Sequence, residues 1–81
     1  MVYCKKKHED SNSAVYNYGH DIHNMTGEVL FWVEKEEIHT EIIKYPDGDQ
    51  LKEYGISKIA YKYFDTLIHG TFPEKMAYER G

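Results

Sequence analysis

Four side chains near the N-terminus have the chemistry of zinc ligands. Three residues separate Cys4 from His8, and two separate His20 from His23. Zinc accepts thiolate sulfur and imidazole nitrogen in tetrahedral sites, so the two close pairs offer a full set of ligands. The spacing matches no familiar zinc module, and the second cysteine of a usual pair is missing. A small zinc protein using these residues is therefore one hypothesis, and exposed loop histidines are the alternative.

The same region permits two further kinds of chemistry. His20 and His23 flank Asp21, and an imidazole oriented by a carboxylate suits general acid–base catalysis near neutral pH. The lysines at 5–7 would lower the pKa of the Cys4 thiol and make it reactive. Both motifs are too short to specify a reaction, and no phosphate-binding glycine spacing or G-x-S-x-G motif is present. We predict that the protein is not an enzyme, and an enzyme with an unidentified active site is the alternative.

Composition narrows the classes of partner. The chain has 81 residues, a net charge of −4, and 41% hydrophobic and 15% aromatic residues, which predicts one folded domain over residues 1–81. Nucleic acid is not expected, because the chain is acidic and Arg80 is its only arginine. The longest apolar run, 29–33, is too short to cross a membrane. No apolar signal segment follows the N-terminal lysines, and one cysteine cannot form an internal disulfide, so we expect a cytoplasmic location.

The elements that must position these side chains begin with strands. Residues 1–12 are polar and rich in turn formers, which predicts a mobile N-terminal arm. Alternation over 14–18 predicts a strand, Gly27 ends the following loop with freedom to take a positive φ, and 28–34 is the strongest strand signal. A polar break at 35–37 and a further strand over 38–45 predict an antiparallel hairpin.

Helix signals follow the turn at 46–48. Residues 50–54 fit either a fourth strand or the first turn of a helix. An apolar stripe predicts an amphipathic helix over 56–69, with Gly70 as its C-terminal cap. Thr71 and Glu74 have the spacing of a capping box, so a short C-terminal helix is expected through Tyr78. Together these elements predict an α+β domain of two layers, with an antiparallel sheet of three or four strands and one amphipathic helix packed on one face.

One helix covers one face of such a sheet and leaves the other open. Register places Ile38 and Ile42 with the face of 29–33 that meets the helix. The opposite face should carry an apolar group with a histidine among surrounding carboxylates: Leu30, Trp32, Ile43, Tyr45 and His39. An exposed patch of this kind usually binds a partner. The leading hypothesis is a non-enzymatic protein-binding or regulatory domain that acts through this patch, on another protein or as a homodimer. The alternative is that the arm or the final helix covers Trp32.

Overall fold

A computed structural model of the chain describes residues 1–48 and 54–79. The described strands are β1 (Val2–Glu9), β2 (Ser13–Gly19), β3 (Gly27–Glu34), β4 (Glu37–Lys44) and β5 (Lys75–Tyr78). They form one antiparallel sheet in the order β4-β3-β2-β1-β5. Two short helices, α1 (Tyr54–Lys62) and α2 (Phe64–Leu67), connect β4 to β5. The prediction of an antiparallel sheet accompanied by helix is confirmed in this general form.

The core lies between the helices and one face of the sheet. Tyr16 and Phe31 form its centre, with ring centroids 5.4 Å apart in an edge-to-face arrangement. The Tyr16 hydroxyl also donates a hydrogen bond of 2.6 Å to the carbonyl of Pro73, which satisfies its polar end inside the core. Both helices contribute buried side chains to this layer: Ile56, Ile59 and Leu67.

The β3–β4 hairpin has the register that the apolar pattern predicts. Val33 lies opposite Ile38 and Val29 opposite Ile42, so these residues share the core face. Two residues make the turn, Lys35 with φ 55° and Glu36 with φ 60°. Left-handed conformations at both positions are typical of a type I′ turn, whose twist matches that of the strands. The turn is tight although neither residue is a glycine or an asparagine.

The N-terminal segment differs from the expected mobile arm, because residues 2–9 form β1 inside the sheet. Val2 and Cys4 are buried in the core, at 1% and 2% exposure. β1 pairs with β2 on one side and β5 on the other. The lysines at 5–7 conceal the strand signal in the sequence, because only the first three residues of β1 are hydrophobic and the remaining five are polar.

The C-terminal segment forms β5 where the capping-box spacing predicts a short helix. Met76 is buried at 2% exposure and lies opposite Cys4. β1 would otherwise end the sheet with unpaired backbone groups, and β5 satisfies them. This long-range pairing outweighs the local helix signal, as tertiary context often does. The sheet therefore has five strands, one more than the upper end of the prediction.

The helical segment is interrupted, whereas one continuous helix over 56–69 is expected. Tyr63 separates α1 from α2. Leu67 is buried in the core, whereas Phe64, which one continuous helix over 56–69 would place on the same apolar stripe, is 43% exposed. Gly70 has φ 84° and caps the segment as predicted, with Thr71 N–H bonded to the carbonyl of Thr66. The open choice between strand and helix at 50–54 falls outside the described residues, except that Tyr54 begins α1.

Candidate functional site

We call the side of the sheet opposite the helices the open face. Its centre carries the side chains of Val15, Leu30, Trp32 and His39, and all of them are half-buried. Register places them together, because Val15 lies opposite Leu30 and Trp32 opposite His39 on adjacent strands. Neighbours within the sheet therefore shield their flanks while their outer surfaces stay accessible.

Trp32 is held in place by contacts on its own face. Its indole stacks on the imidazole of His39, with ring centroids 5.1 Å apart and an angle of 18° between the planes. The indole N–H donates a 3.3 Å hydrogen bond to a carboxylate oxygen of Glu34. His39 Nε2 lies 3.7 Å from Glu37 Oε1, within reach of an ion pair when the imidazole is protonated. These contacts orient the indole and surround it with acidic groups.

The other two predicted patch residues lie at the far end of β4. The register shifts there, so that Ile42 lies opposite Val29 and Lys44 opposite Glu28, with Ile43 as an extra residue between them. The alternation that assigned Ile43 and Tyr45 to the face of Trp32 is interrupted by this bulge. Both side chains are exposed, at 54% and 44%, beside the outer edge of the sheet.

Coverage of the open face differs between its two ends. At the β1 end, the loop over 20–26 folds back so closely that a Cβ on Gly19 would lie 2.2 Å from the carbonyl oxygen of Asn24. A groove of about 480 Å³ lies there, and its lining includes Tyr3, Lys5 and Lys75. β1 and β5, the described strands nearest the two chain ends, lie at the other side of the sheet and do not cover the β3–β4 end.

The four predicted zinc ligands are not gathered at one place. Cys4 lies opposite Tyr18 on the core face, whereas His8 lies opposite Val15 on the open face. His20 and His23 belong to the loop that follows β2. Among residues 1–48 and 54–79, no group of three or more His, Cys, Asp or Glu side chains is arranged to hold a metal ion.

Two of the residues considered for covalent and acid–base chemistry, Cys4 and Asp21, have structural roles in the core and in a loop. Burial raises the pKa of the Cys4 thiol to about 12, so it stays protonated at neutral pH despite the neighbouring lysines. Asp21 accepts a 2.9 Å hydrogen bond from the backbone N–H of His23, so one oxygen of its carboxylate stabilises the loop. This arrangement leaves the thiol poorly nucleophilic and ties the carboxylate to a turn.

A second exposed apolar region was missed by sequence reasoning. Tyr61 is 85% exposed, and with Phe64 it lines a groove of about 410 Å³ beside Ile38 at the outer edge of β4. On a helical wheel over 56–69, Tyr61 lies at the margin of the apolar stripe, and this is a sequence signal for its exposure. The break at Tyr63, directly before Phe64, has no signal in the pattern.

Comparison with known proteins adds no family. The chain matches no protein-family model, and neither curated proteins nor solved structures give a significant match. Within the described part of the chain, every helix is too short or too polar to span a lipid bilayer. Function must therefore be argued from the geometry of the chain itself.

Proposed function

We propose that this chain is a non-catalytic protein-binding domain whose partner docks on the open face around Leu30 and Trp32. The observation that supports this is the one-sided packing of the sheet: the core cluster occupies the helical side, and Leu30 and Trp32 stay half-exposed on the other. An antiparallel sheet tolerates water on one face when that face is polar. Large apolar side chains at its centre instead favour contact with another protein.

The charges around Trp32 define the chemistry of this partner. Glu34, Glu37 and Glu41 are exposed around the indole. A matching surface would have an apolar centre surrounded by Lys or Arg side chains, because complementary charges at the rim steer association and reject other partners. Such rim contacts are screened by salt, so binding should weaken as ionic strength rises.

Trp32 is suited to the central role in such an interface. Tryptophan is enriched among the residues that dominate binding energy, particularly when its surroundings hold it in one orientation. Stacking on His39 and the hydrogen bond to Glu34 provide that orientation before any partner arrives. Little conformational entropy is then lost on binding.

Site-specific photo-crosslinking in the full-length protein tests this function. A photoreactive phenylalanine at Leu30 should capture a discrete protein partner in an extract of the source cell, and Trp32→Ala in the same chain should abolish the adduct. The matched control places the photoreactive residue at Thr66, which is exposed on α2 in the helical layer. Capture at position 30 but not at 66, weakened by added salt, is the expected result.

Identical adducts from both positions, or none from either, would contradict a partner on the open face. Far-ultraviolet circular dichroism of each variant checks that the sheet is intact, since Trp32→Ala removes a large half-buried side chain.

A further inference from the structure

Within residues 1–48 and 54–79, no hydrogen bond reaches the backbone groups along the outer edge of β4. β4 ends the sheet, and its inner side bonds to β3. The Val33 N–H bonds to the Asn12 carbonyl, so the odd-numbered residues of β3 direct their backbone groups toward β2 and the even-numbered ones toward β4. Trp32 and Leu30 therefore bond to His39 and Glu41 of β4, and the N–H and C=O groups of Ile38 and Thr40 point outward. No other residue in the described ranges bonds to these outward groups. Such an edge is a template for another strand.

Exposed apolar side chains flank this same edge. The described residues include six large hydrophobic side chains that are exposed, and four of them lie beside β4: Ile43, Tyr45, Tyr61 and Phe64. Ile38 and Ile42 on the core side of the strand are themselves only half-buried. The edge therefore offers apolar surface next to its unpaired backbone, which is the combination that strand addition buries.

We propose that a second copy of this chain occupies the edge, with β4 pairing antiparallel to β4 about a twofold axis at Thr40. The two sheets would become continuous, and the two open faces would join. This goes beyond the proposed function and does not depend on it, since the open face can bind a partner whether or not the edges pair.

The residues of β4 match one another in this register. A twofold axis at Thr40 brings Ile38 of one copy opposite Ile42 of the other on the core side. On the open side it brings His39 opposite Glu41, an imidazole against a carboxylate. Symmetry makes each pair occur twice, and such cross-strand pairs are the units that stabilise a sheet.

Neighbouring registers are less favourable for identifiable reasons. An axis at His39 would bring Glu37 opposite Glu41, and an axis at Glu41 would bring the two copies of that carboxylate together. Like charges directly opposite one another destabilise a strand pair. An axis between two residues would oppose side chains from different faces of the sheet. Charge and apolar pattern thus select the axis at Thr40.

In this arrangement a side chain of the second copy would lie beside the groove that Tyr61 and Phe64 line. The Thr40 register brings Ile43 of the second copy opposite Glu37, at the end of β4 where the groove lies. Ala60, Tyr61 and Phe64 line its helical side. The exposed residue at one end of each β4 would then meet the exposed aromatic residues of the other copy. Both apolar regions would be buried by one association, and twice over by symmetry.

Thr40→Pro gives the most direct test. Proline lacks the N–H that would bond to the second copy, and edge strands tolerate it where that N–H faces solvent. By sedimentation velocity the native chain should be a dimer and the folded Thr40→Pro variant a monomer at the same concentration. Thr40→Val is the matched control and should remain dimeric. A monomeric native chain at the highest reachable concentration, or a dimeric Thr40→Pro variant, would overturn the proposal.

A charge exchange tests the register and keeps the proposal falsifiable if the proline variant fails to fold. His39→Glu opposes Glu41 of the second copy and should weaken the dimer about tenfold. Adding Glu41→Lys should restore it, because each new pair is then of opposite charge. Equal affinity in all three proteins would overturn this register.

Disulfide trapping locates the axis. Opposed Cα atoms across an antiparallel pair are ~5.5 Å apart, within the range that a disulfide spans. Oxidised Thr40→Cys should therefore form a covalent dimer, and Glu37→Cys, which faces position 43 of the other copy, should not. Comparable trapping at both positions would contradict the axis. Loss of the dimer in Leu30→Lys but not in Thr40→Pro would show association through the open face and overturn the edge pairing alone.

Discussion

The two outer strands of the sheet, β5 and β4, differ in how their free edges are treated. At β5, the Ala77 N–H donates a 3.2 Å hydrogen bond to the Tyr63 hydroxyl, and Lys62 Nζ donates one of 2.8 Å to the Ala77 carbonyl. That strand has four residues, whereas β4 has eight. Lys62 at the end of α1 and Tyr63 just beyond it thus close the short edge, whereas no described residue closes the long edge in this way.

The two edges show two ways of preventing unwanted strand pairing, and only one of them still allows a specific partner. A short, capped edge cannot accept another strand, which is how many proteins avoid aggregation. β4 relies on charge alone, with Glu37, His39, Glu41 and Lys44 along it. Charged side chains deter most strands, but they permit one whose charges are complementary. An edge guarded by charge can therefore be selective where a capped edge is simply closed.

Thiol labelling should give the largest contrast between the two edges. Cys4 lies on β1 opposite Met76 of β5, and burial raises its pKa to about 12, whereas a Thr40→Cys thiol on the exposed edge of β4 would have an ordinary pKa of about 8.5. At neutral pH and in dilute solution, the variant should show one fast thiol and one slower by about a thousandfold or more. Stopped-flow reaction with a chromogenic disulfide measures both in one sample.

Similar rates for the two thiols would mean that β5 opens as readily as the free edge. Unfolding the variant in denaturant is the control, because both thiols should then react at the same rate.

Truncating one side chain in each outer strand should separate their roles in stability. Met76→Ala removes a buried side chain, so we expect it to lower the free energy of unfolding by about 2–4 kcal/mol. Ile43→Ala removes a side chain that is 54% exposed and should change the free energy by less than about 0.5 kcal/mol in the monomer. Urea denaturation at a concentration below dimer formation measures both values. Equal losses would contradict the view that β5 belongs to the core and the end of β4 does not.

These contrasts mark how far the sequence predicts the fold. The hairpin was predictable because 29–33 is a continuous run of strand formers, and because Ile38 and Ile42 alternate with polar residues and so give a single apolar register. Leu30, Trp32 and His39 share the opposite face for the same reason. A period of two carries this information locally, so no distant residue is needed to obtain it.

The two strands that the sequence did not predict, β1 and β5, are stabilised by pairing between residues far apart in the chain. β1 contains a lysine run, and β5 buries Met76 as its anchor, so each is marginal alone and is stabilised by pairing with the other. The bulge at Ile43 likewise has no sequence signal, because one extra residue changes which side chain faces the core without changing the composition. The centre of the candidate site, at Leu30, Trp32 and His39, can thus be predicted from the sequence. The positions of Ile43 and Tyr45 beside the edge cannot.

The cap on β5 should contribute an intermediate amount of stability. Tyr63→Phe removes the hydroxyl that accepts from the Ala77 N–H, and we expect a loss of about 1–1.5 kcal/mol in the free energy of unfolding. Tyr61→Phe is the matched control, since Tyr61 is 85% exposed and its hydroxyl should contribute nothing measurable. Thermal unfolding followed by circular dichroism compares them. If both variants behave alike, the hydroxyl of Tyr63 does not close the edge.

The smallest effect is expected at the turn that leads into β4. Lys35 and Glu36 both have positive φ, which strains residues that carry a Cβ, whereas Asn-Gly adopts a type I′ turn readily. Lys35→Asn with Glu36→Gly should stabilise the monomer by about 1 kcal/mol, less than the strain itself because glycine gains entropy on unfolding. A lower melting temperature in the double variant would contradict this turn geometry.

Amide hydrogen exchange in that variant sharpens the comparison between the two edges. A firmer hairpin should slow exchange at His39 and Glu41, whose N–H groups bond inward to β3. Ile38 and Thr40 should still exchange fast in dilute solution, because their N–H groups face water however stable the hairpin becomes. At β5 the outward N–H of Ala77 bonds to the Tyr63 hydroxyl, so this amide should be protected from exchange, unlike the outward amides of β4. Protection at Thr40 that appears only as concentration rises would then report the pairing of two β4 edges directly, since no described residue of the same chain bonds to that amide.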